Sequence, residues 1–289
     1  MIIGLDLGGT SIKVGLIKDG KLIKVLRMPT QTNKGKKVVL KNIMEAISLI
    51  KEGYNIKGIG IGVPGFVDNK RGIIIKSPNI PFKNLNLRDI IKNRFKTRVE
   101  IDNDAKCAAL AEKVYGKGKN FRNFIVITLG TGIGSGVFID NKVYRGRLFA
   151  SELGHMIIAN EKEHCHLNHY SCLESLCSCN AISKQGEMIF RKYMKAIEII
   201  KLCDGGNLKA RFKARKIIDK ASRYLGIGLA NIINIFNPEI IFIDKGIKGG
   251  RYFLNRIKEE TKKNAMFKCK IEFSEIDDAG ILGAASLVE

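Results

Sequence analysis

The sequence predicts an α/β protein built from two related domains. Its 289 residues exceed the length of one ordinary domain and suit two. Patterns typical of strands and of helices alternate along the chain, and this alternation favours layered α/β domains. Each half also opens with a strand, a Gly/Thr turn, a second strand and an Asx turn. This weak internal repetition indicates that one architecture occurs twice.

In the first half, short apolar runs bounded by turn residues predict strands at residues 2–7, 12–17, 21–26, 58–63 and 98–101. Asp19-Gly20 is typical of a hairpin turn between the second and third of these strands. Residues 38–50 carry apolar side chains at helical spacing and predict an amphipathic helix. The alanine-rich run 105–114 predicts a further helix.

The second half begins in the same way, with predicted strands at residues 124–129, 135–139 and 142–144 and an Asp140-Asn141 turn before the last. Helical patterns follow at residues 181–202, 214–236, 252–263 and 278–287. Two further strands are predicted at residues 239–243 and 270–273. No linker rich in Pro or Ser separates the halves, so the pattern alone puts the domain boundary near residues 101–105.

Composition excludes several classes of protein. Hydrophobic residues make up 45% of the chain and charged residues 27%, which excludes disorder for most of it. No apolar run reaches the ~18–20 residues of a membrane span. Asp6 interrupts the apolar N-terminal stretch, so no signal peptide is predicted. We therefore expect a cytoplasmic protein without a membrane partner.

The charge is strongly basic, with 50 Lys and Arg against 28 Asp and Glu and a formal net charge of +22. Such a balance can indicate nucleic-acid binding. The lysines are scattered, however, and no basic stretch alternates with aromatic residues as a base-stacking surface would require. A general enrichment in lysine and an attraction for anionic substrates explain the charge better, and no nucleic-acid partner is expected.

Two glycine turns are candidate phosphate sites. In the first, Gly8-Gly9-Thr10, the absence of side chains lets the backbone approach an anion closely. Thr10 adds a hydroxyl, Lys13 a cation, and Asp6 a carboxylate that could hold hydrated Mg²⁺. A plain glycine hairpin explains one such turn as well. The second turn, Gly130-Thr131-Gly132-Ile133-Gly134, favours a nucleotide whose phosphates bind both turns.

Further motifs lie along the chain in a fixed order: Gly62-Val63-Pro64-Gly65, Ser77-Pro78-Asn79-Ile80-Pro81, Asn103-Asp104-Ala105, Glu152-Leu153-Gly154-His155, Cys172-Leu173-Glu174 and Asp277-Asp278-Ala279-Gly280. With the two glycine turns, they make the chain resemble the ROK family (repressors, open reading frames and sugar kinases). This family belongs to the actin/hexokinase/Hsp70-type fold. The resemblance covers nearly the whole chain and implies two ribonuclease-H-like α/β domains flanking an interdomain cleft.

The resemblance also implies the domain limits. A small N-terminal domain is expected at residues 1–103 and a larger C-terminal domain at residues 104–277. The larger domain includes segment 161–180, which is similar to the zinc loop of the family. The C-terminal helix, at about residues 278–289, is expected to return to the first domain.

For the nucleotide, the resemblance implies Mg²⁺-ATP bound by Asp6, Gly8, Gly9, Thr10, Lys13, Gly130, Thr131, Gly132, Gly134 and Gly246. The family usually has a run of glycines where this chain has Asp244-Lys245-Gly246, and adenine lies over that run. Lys245 adds bulk and charge there, so the choice of phosphoryl donor stays open, with polyphosphate as a minor alternative.

For the acceptor, phosphoryl transfer requires a carboxylate that takes the hydroxyl proton. Asn103-Asp104 follows a predicted strand and read alone is an ordinary helix N-cap pair. The resemblance instead implies that Asp104 is the catalytic base. It also implies that a sugar is bound by Gly65, Asn79, Asn103, Asp104, Glu152, His155 and Glu174.

A cluster of cysteines and histidines indicates a metal site. Four of the seven cysteines lie within residues 165–179, near all four histidines, which in a cytosolic protein favours a metal over disulfides. The resemblance implies a structural Zn²⁺ held by one histidine and three cysteines, of which His155, Cys165 and Cys172 are in register.

Three positions of that zinc motif differ from the family. Leu167 replaces the middle cysteine, and Asn168 and Ser171 replace the two glycines. The fourth ligand therefore stays open among His164, His166, His169, Cys177 and Cys179. The alternative is a loop without metal, in which His155 hydrogen bonds to the sugar.

The leading functional hypothesis is an ATP-dependent kinase that phosphorylates the 6-hydroxyl of a hexose, glucose first. N-acetylmannosamine kinase and fructokinase are the alternatives within the family. A repressor would carry a helix-turn-helix before the first phosphate motif, which here begins at residue 4, so a repressor is not expected. A non-catalytic sugar-binding regulator would be expected to lose Asp104 or a glycine turn. The resemblance also implies a homodimer.

Overall fold

The computed structural model describes residues 1–244 and 250–289. The predicted nucleotide ligand Gly246 and its neighbour Lys245 lie outside the described residues. The strands are β1 (Ile2–Leu7), β2 (Ser11–Lys18), β3 (Lys21–Pro29), β4 (Gly58–Val63), β5 (Phe66–Asp68), β6 (Ile73–Lys76), β7 (Lys83–Asn86), β8 (Arg98–Asn103), β9 (Phe124–Leu129), β10 (Ile133–Ile139), β11 (Lys142–Val143), β12 (Ile240–Asp244) and β13 (Lys270–Phe273).

The helices are α1 (Lys36–Lys51), α2 (Leu87–Phe95), α3 (Asp104–Val114), α4 (Leu173–Cys177), α5 (Cys179–Phe190), α6 (Ala196–Asp204), α7 (Leu208–Phe236), α8 (Arg251–Asn264) and α9 (Ala279–Ala285). Short 3-10 turns occur at Thr32–Lys34, Lys117–Asn120 and Leu153–His155. Among the residues described, no helix is both long enough and apolar enough to cross a membrane.

Two five-stranded mixed sheets confirm the α/β architecture that the sequence predicts. The first has the order β3-β2-β1-β4-β8 and the second β11-β10-β9-β12-β13. In the first sheet β1, β2 and β3 are antiparallel, while β1, β4 and β8 are parallel. In the second sheet β12 is parallel to both β9 and β13. The two orders correspond strand for strand, as the internal repetition predicts.

Equivalent hairpins in the two sheets use equivalent turns. Asp19 and Gly20 join β2 to β3 with φ angles of 50° and 72°, and Asp140 and Asn141 join β10 to β11 with φ angles of 48° and 64°. Two consecutive positive φ values suit the right-handed twist of paired strands, and Asp, Asn and Gly adopt them at least cost. Both predicted hairpin turns are therefore confirmed.

The first sheet separates two packing layers. Ile3, Leu5 and Leu7 of β1 pack in one core cluster with residues of α1 such as Val39 and Ile43. Alternate residues of a strand point to opposite faces, and on the other face glycines admit α9. A Cβ atom at Gly4 would lie 2.0 Å from the carbonyl oxygen of Ile281, so the helix backbone touches the strand.

One predicted helix is wrong. The apolar period over residues 181–202 predicts a continuous helix, but the structure has α5 and α6 with a break between them. α5 ends because Arg191 adopts a left-handed conformation with φ 57°. A new helix then begins where Glu198 accepts a hydrogen bond from the Lys195 N–H at 2.7 Å. Met194, in the break, is also buried, so the apolar period continues where the helix does not.

Residues 66–95 form elements that the sequence does not predict. β5, β6 and β7 make a small antiparallel sheet, and α2 follows directly. These strands span only three or four residues each, too few for alternation to distinguish them from loop.

The chain divides into two compact units. The first comprises residues 1–122, 136–151 and 275–289, and the second comprises residues 123–135 and 152–274. α9 belongs to the first unit. The domain limits at 103 and 277 that the sequence implies stay a prediction.

We predict that Gly60→Ala strongly destabilises the protein. A Cβ atom at this position would lie 1.7 Å from the carbonyl oxygen of Ala284, so α9 would have to leave β4. The free energy of unfolding is expected to fall by about 2 kcal/mol. Chemical denaturation followed by circular dichroism measures this loss.

Gly205→Ala is the matched control, because its Cβ atom would meet only the Lys201 carbonyl at 3.8 Å and its φ of −145° suits alanine. It is expected to change the unfolding free energy by less than about 0.5 kcal/mol. Equal effects of the two substitutions would contradict the close approach of α9.

Candidate active site and metal cluster

The first glycine turn joins β1 to β2 and is held by its own backbone and by Thr30. Gly8 N–H donates to the Ser11 carbonyl at 3.0 Å, and the Thr30 hydroxyl donates to the Gly8 carbonyl at 2.6 Å. The Thr30 N–H donates to the Thr10 carbonyl at 3.0 Å. Thr30 is fully buried, and no local sequence pattern indicates its role, because its partners lie about twenty residues away in the chain.

Asp6 and Lys13 face each other across β1 and β2, where they are register partners. The Lys13 ammonium lies 3.8 Å from a carboxylate oxygen of Asp6. A Cβ atom at Gly280 would lie 2.6 Å from the carboxyl carbon of Asp6, so only glycine fits beside this carboxylate. This contact explains physically why the C-terminal motif ends in glycine.

The predicted sugar ligands Gly65 and Asn79 lie close to this turn. A Cβ atom at Gly9 would lie 3.1 Å from the Cβ of Asn79. Gly65 has φ +101°, and a Cβ atom there would lie 2.4 Å from the Lys76 carbonyl and 2.9 Å from Pro78. Glycine at position 65 therefore lets the 76–79 segment pass beside the end of β4.

Asn103 and Asp104 lie where β8 ends and α3 begins. The Asn103 side-chain oxygen accepts the N–H groups of Ala105 at 3.0 Å and Lys106 at 3.2 Å, so the N-cap reading of Asn103 is confirmed. Its amide nitrogen donates to the Gly65 carbonyl at 3.1 Å. Asp104, half-buried, accepts the Ala105 N–H at 2.9 Å. The catalytic role of Asp104 stays a prediction.

In the second unit, the other glycine turn lies against Glu174. The Ile133 N–H donates to a Glu174 carboxylate oxygen at 2.8 Å, and a Cβ atom at Gly132 would lie 2.1 Å from that oxygen. The N–H of Cys179, the first residue of α5, donates to the Gly130 carbonyl at 3.0 Å. A predicted sugar ligand thus shapes a predicted phosphate turn, a connection that the sequence does not reveal.

The Glu152–His155 motif lies beside the same turn. Glu152 and His155 lie at either end of the short 3-10 turn, where the His155 N–H donates to the Glu152 carbonyl at 3.0 Å. A Cβ atom at Gly154 would lie 2.1 Å from the Ile133 carbonyl. The second unit therefore brings Glu152, His155 and Glu174 together around Ile133.

Four ligand-type side chains gather within one cluster: His155, Cys165, His169 and Cys172. Their ligand atoms all lie within 4.8 Å of one another, and Cys165 Sγ is 3.7 Å from His155 Nδ1. Tetrahedral zinc with Zn–S of 2.3 Å and Zn–N near 2.0 Å separates its ligands by about 3.4–3.8 Å. The cluster is therefore consistent with a zinc site, and His169 supplies the fourth group that the sequence left open.

The donor set fits a metal for a second reason. Within residues 1–244 and 250–289, His169 Nε2 is a buried nitrogen without a hydrogen-bond partner. A buried polar atom left unpaired costs free energy, and a metal bond would remove that cost. Leu167, at the family's cysteine position, is exposed.

The two residues that stand where the family has glycine adopt backbone conformations typical of glycine. Asn168 has φ 60° and Ser171 has φ 59°, both in the left-handed region where glycine costs least. The Cys165 N–H donates to the His169 carbonyl at 2.7 Å, and the Asn168 N–H donates to the Cys165 carbonyl at 3.0 Å. Both positions where the family has glycine therefore have the left-handed backbone that glycine favours.

Protonation within the cluster is uneven. Burial raises the pKa of Cys172, but hydrogen bonds from His155 and Ser175 outweigh burial and lower it to about 6. The same hydrogen bond to Cys172 raises the pKa of His155, and burial opposes that shift. Burial raises the pKa of Cys165 to about 11. Without metal, the cluster thus favours a thiolate at Cys172 at neutral pH.

His166 has a different partner. Its Nδ1 lies 3.1 Å from Glu174 Oε1, whereas the Ile133 N–H donates to the other oxygen of that carboxylate. His155, His166 and Glu174 form a second, overlapping group of ligand-type side chains. Of the two groups, the one with Cys165, His169 and Cys172 has the thiolate and imidazole ligands typical of structural zinc.

Two α/β sheets of the same order, each with a glycine turn after its first strand, define a two-domain protein of the hexokinase type. The sequence matches the ROK family over residues 2–289, so the chain belongs to this family. The resemblance stated from its motifs is confirmed.

Curated relatives include both kinases and repressors. The glucokinase of Thermotoga maritima is 34% identical over 308 aligned residues, covering 100% of this chain and 97% of that protein. The xylose repressor of Caldicellulosiruptor bescii is 31% identical, covering 99% of this chain and 77% of that protein. The chain is therefore a ROK family sugar kinase or repressor.

Solved structures show the same fold. The ROK glucokinase of Streptomyces griseus, in complex with glucose and AMPPNP, superposes with a TM-score of 0.89 at 26% identity, covering 99% of this chain and 98% of that one. The ROK hexokinase of Thermus thermophilus superposes with a TM-score of 0.83 at 29% identity, covering 98% and 96%.

Proposed function

We propose that the protein is an ATP-dependent hexose kinase that phosphorylates the 6-hydroxyl, with glucose as its first acceptor. One observation carries this proposal. Asn103, which caps the helix that Asp104 begins, is hydrogen bonded to Gly65, and the segment packed on Gly65 carries Asn79 against Gly9 of the first glycine turn. A carboxylate, amide ligands and a phosphate turn thus form one connected set.

In this mechanism Asp104 accepts the proton of the sugar 6-hydroxyl while the hydroxyl oxygen attacks the γ-phosphorus of ATP. The bond from that phosphorus to the β,γ-bridging oxygen breaks, and ADP leaves with its electron pair. The products are ADP, the hexose 6-phosphate and a proton on Asp104 that passes to water. Asn79, Asn103 and the Gly65 backbone orient the sugar hydroxyls, since amides and carbonyls bind hydroxyls directionally.

The glycine turns at Gly8–Thr10 and Gly130–Gly134 bind the phosphates of ATP, since a backbone without Cβ atoms lets an anion approach closely. Thr10 donates its hydroxyl and Lys13 neutralises charge. Asp6 supplies the hard oxygen ligand that hydrated Mg²⁺ prefers, and Mg²⁺, when bound with ATP, neutralises the charge that develops on the phosphates. The AMPPNP in the Streptomyces griseus glucokinase supports ATP as the donor here.

Glu152, His155 and Glu174 act as further sugar ligands. Glu174 is held by the Ile133 N–H and by His166, so its carboxylate is oriented before the sugar binds. Such preorganisation lowers the entropy cost of binding and favours one arrangement of sugar hydroxyls. N-acetylmannosamine and fructose remain alternative acceptors, because pocket width decides between them.

A non-catalytic regulator is the competing class, since xylose repressors are similarly close relatives. The kinase is favoured because this chain retains a complete phosphoryl-transfer set: Asp6, both glycine turns and Asp104 at a helix start. A protein that only binds sugar would not need the carboxylate or both phosphate turns. Dimerisation and a cytoplasmic location, both expected from the sequence, stay predictions.

We also propose that His155, Cys165, His169 and Cys172 hold a structural Zn²⁺. Two thiolates and two imidazoles form a closed, redox-inert set that suits a structural role. One ring nitrogen of His155 would then bind the metal, which would fix the position of the ring after Glu152, and the other ring nitrogen would bind a sugar hydroxyl. The sugar pocket gains rigidity from this arrangement.

We predict turnover in a coupled ADP-release assay with Mg-ATP and glucose. The Asp104→Asn variant should lose activity by about 10²–10⁴-fold, because the amide cannot accept the proton. Mannose, fructose, N-acetylglucosamine and N-acetylmannosamine tested alongside identify the acceptor. If the folded protein turns over none of the five sugars, the kinase proposal is contradicted. Glucose binding measured by calorimetry would then indicate a regulator.

We predict one Zn²⁺ per chain by atomic emission, and a faster loss of zinc to a chelator in His169→Ala. The matched control is His164→Ala, which removes an exposed imidazole from the same loop. Its zinc content should equal that of the wild type. Equal zinc loss from both variants would rule out His169 as a ligand.

Zinc retention should depend on pH in a defined direction. In the metal-free cluster the pKa of Cys172 is lowered to about 6, so the free ligand is a thiolate at neutral pH and binds a proton at lower pH. Protons then compete with zinc for the cluster. Chelator extraction should therefore accelerate between pH 7.5 and 5.5, and a rate independent of pH over this range would contradict a thiolate-held metal.

A further inference from the structure

Arg145 lies just after β11, outside every motif that the sequence identified. Its Nε and Nη2 donate to the same carboxylate oxygen of Asp102, at 3.1 Å and 2.5 Å. Its Nη1 donates to the Val143 carbonyl at 3.4 Å. Three hydrogen bonds thus hold the guanidinium in one orientation, and all of these residues belong to the first unit.

Asp102 is the residue that connects this guanidinium to the predicted base. It lies in β8, two residues before Asp104, and only 2% of it is exposed. Its second oxygen accepts the Asn103 N–H at 2.8 Å. One carboxylate therefore joins Arg145 to the backbone of the helix cap. A buried carboxylate without its partner is costly, so the hydrogen bonds from Arg145 stabilise Asp102 in this buried place.

The hydrogen bonds continue from Asn103 in two directions. Its side chain caps α3, where Asp104 is the first residue, and donates to the Gly65 carbonyl. A movement of Asp102 would be transmitted through the Asn103 N–H to both the cap and the sugar ligands. Hydrogen bonds thus connect Arg145, through Asp102 and Asn103, to the start of the helix on which Asp104 lies.

A second contact holds the same segment. The ring of Phe149, four residues after Arg145, packs edge-on against Phe66 with ring centroids 5.4 Å apart. Phe66 directly follows Gly65. Segment 145–149 is therefore attached on one side to the strand end before Asp104 and on the other to the residue beside Gly65.

We propose that Arg145 is a positioning residue for phosphoryl transfer, acting through Asp102 and Asn103 to hold the carboxylate of Asp104 in line with the sugar hydroxyl. This inference rests on the proposed function. A misplacement of reacting groups by about 1 Å can cost on the order of 10²-fold in rate, whereas ground-state binding of the sugar changes less. The effect therefore falls on kcat more than on KM.

The experiment compares the wild type with Arg145→Met, Arg145→Lys and the control Arg147→Met by steady-state kinetics with glucose and Mg-ATP. Arg147 is exposed and lies in the same segment, so its variant makes the same charge change. Arg145→Met should lower kcat by about 10- to 100-fold and change KM for the sugar by less than about threefold. Arg145→Lys should lose less, because lysine keeps the charge but cannot make both hydrogen bonds to the Asp102 oxygen.

A double variant separates positioning from stability. Combining Arg145→Met with Asp102→Asn removes the unpaired buried charge, so the melting temperature should return toward that of the wild type. Its kcat should stay low, because no guanidinium orients the side chain at position 102. Recovery of kcat together with the melting temperature would overturn the positioning role and leave a structural ion pair.

Two other outcomes are also decisive. If the wild type turns over glucose and the kcat of Arg145→Met equals that of Arg147→Met, the positioning role alone is overturned. A wild type that binds glucose by calorimetry but turns over no sugar overturns the proposed function, and the positioning of a catalytic base with it.

Discussion

The parallel pairing of β1, β4 and β8 is the constraint on which the rest of the first unit depends. The register pairs Asp6 with Gly62 and Gly62 with Asp102, so the three strands end at neighbouring points. The carboxyl ends of parallel strands meet at one edge of a sheet, where ligands bind in open α/β folds. The first glycine turn, Gly65 and the Asn103 cap therefore lie together, although almost a hundred residues separate them in the chain.

Glycines bring backbones close enough for this arrangement to exist. At Gly4 and Gly60 the α9 backbone occupies the space of a side chain, and at Gly132 the Glu174 carboxylate does so. These contacts are short because no Cβ intervenes, and they leave no room for substitution. The close approach that packs a helix on the first sheet thus also places the Glu174 carboxylate against the second glycine turn.

In the cysteine–histidine loop, residues other than glycine adopt backbone conformations that glycine favours. Asn168 and Ser171 adopt the left-handed conformation expected of the glycines they replace. The loop therefore still presents Cys165 and Cys172 to His155, and it turns His169 inward where Leu167 is exposed. A sequence motif shows which residue type adopts a backbone conformation most easily. The conformation itself determines where the ligand side chains lie.

The sequence by itself determined the elements and motifs that depend on neighbours in the chain. Strands such as Phe124–Leu129, the Asp19-Gly20 turn and the Asn103 cap follow from periodicity and turn chemistry, which act over a few residues. Prediction from local sequence failed at Arg191, whose left-handed conformation divides one apolar period into two helices. It also failed for strands too short to show alternation of apolar and polar residues. The tertiary structure alone decided that His169, and not a neighbouring histidine, joins the cluster, because the conformation of the loop selects it. It also decided that Arg145 pairs with Asp102, because these side chains lie 43 residues apart in the chain and meet only in the folded protein.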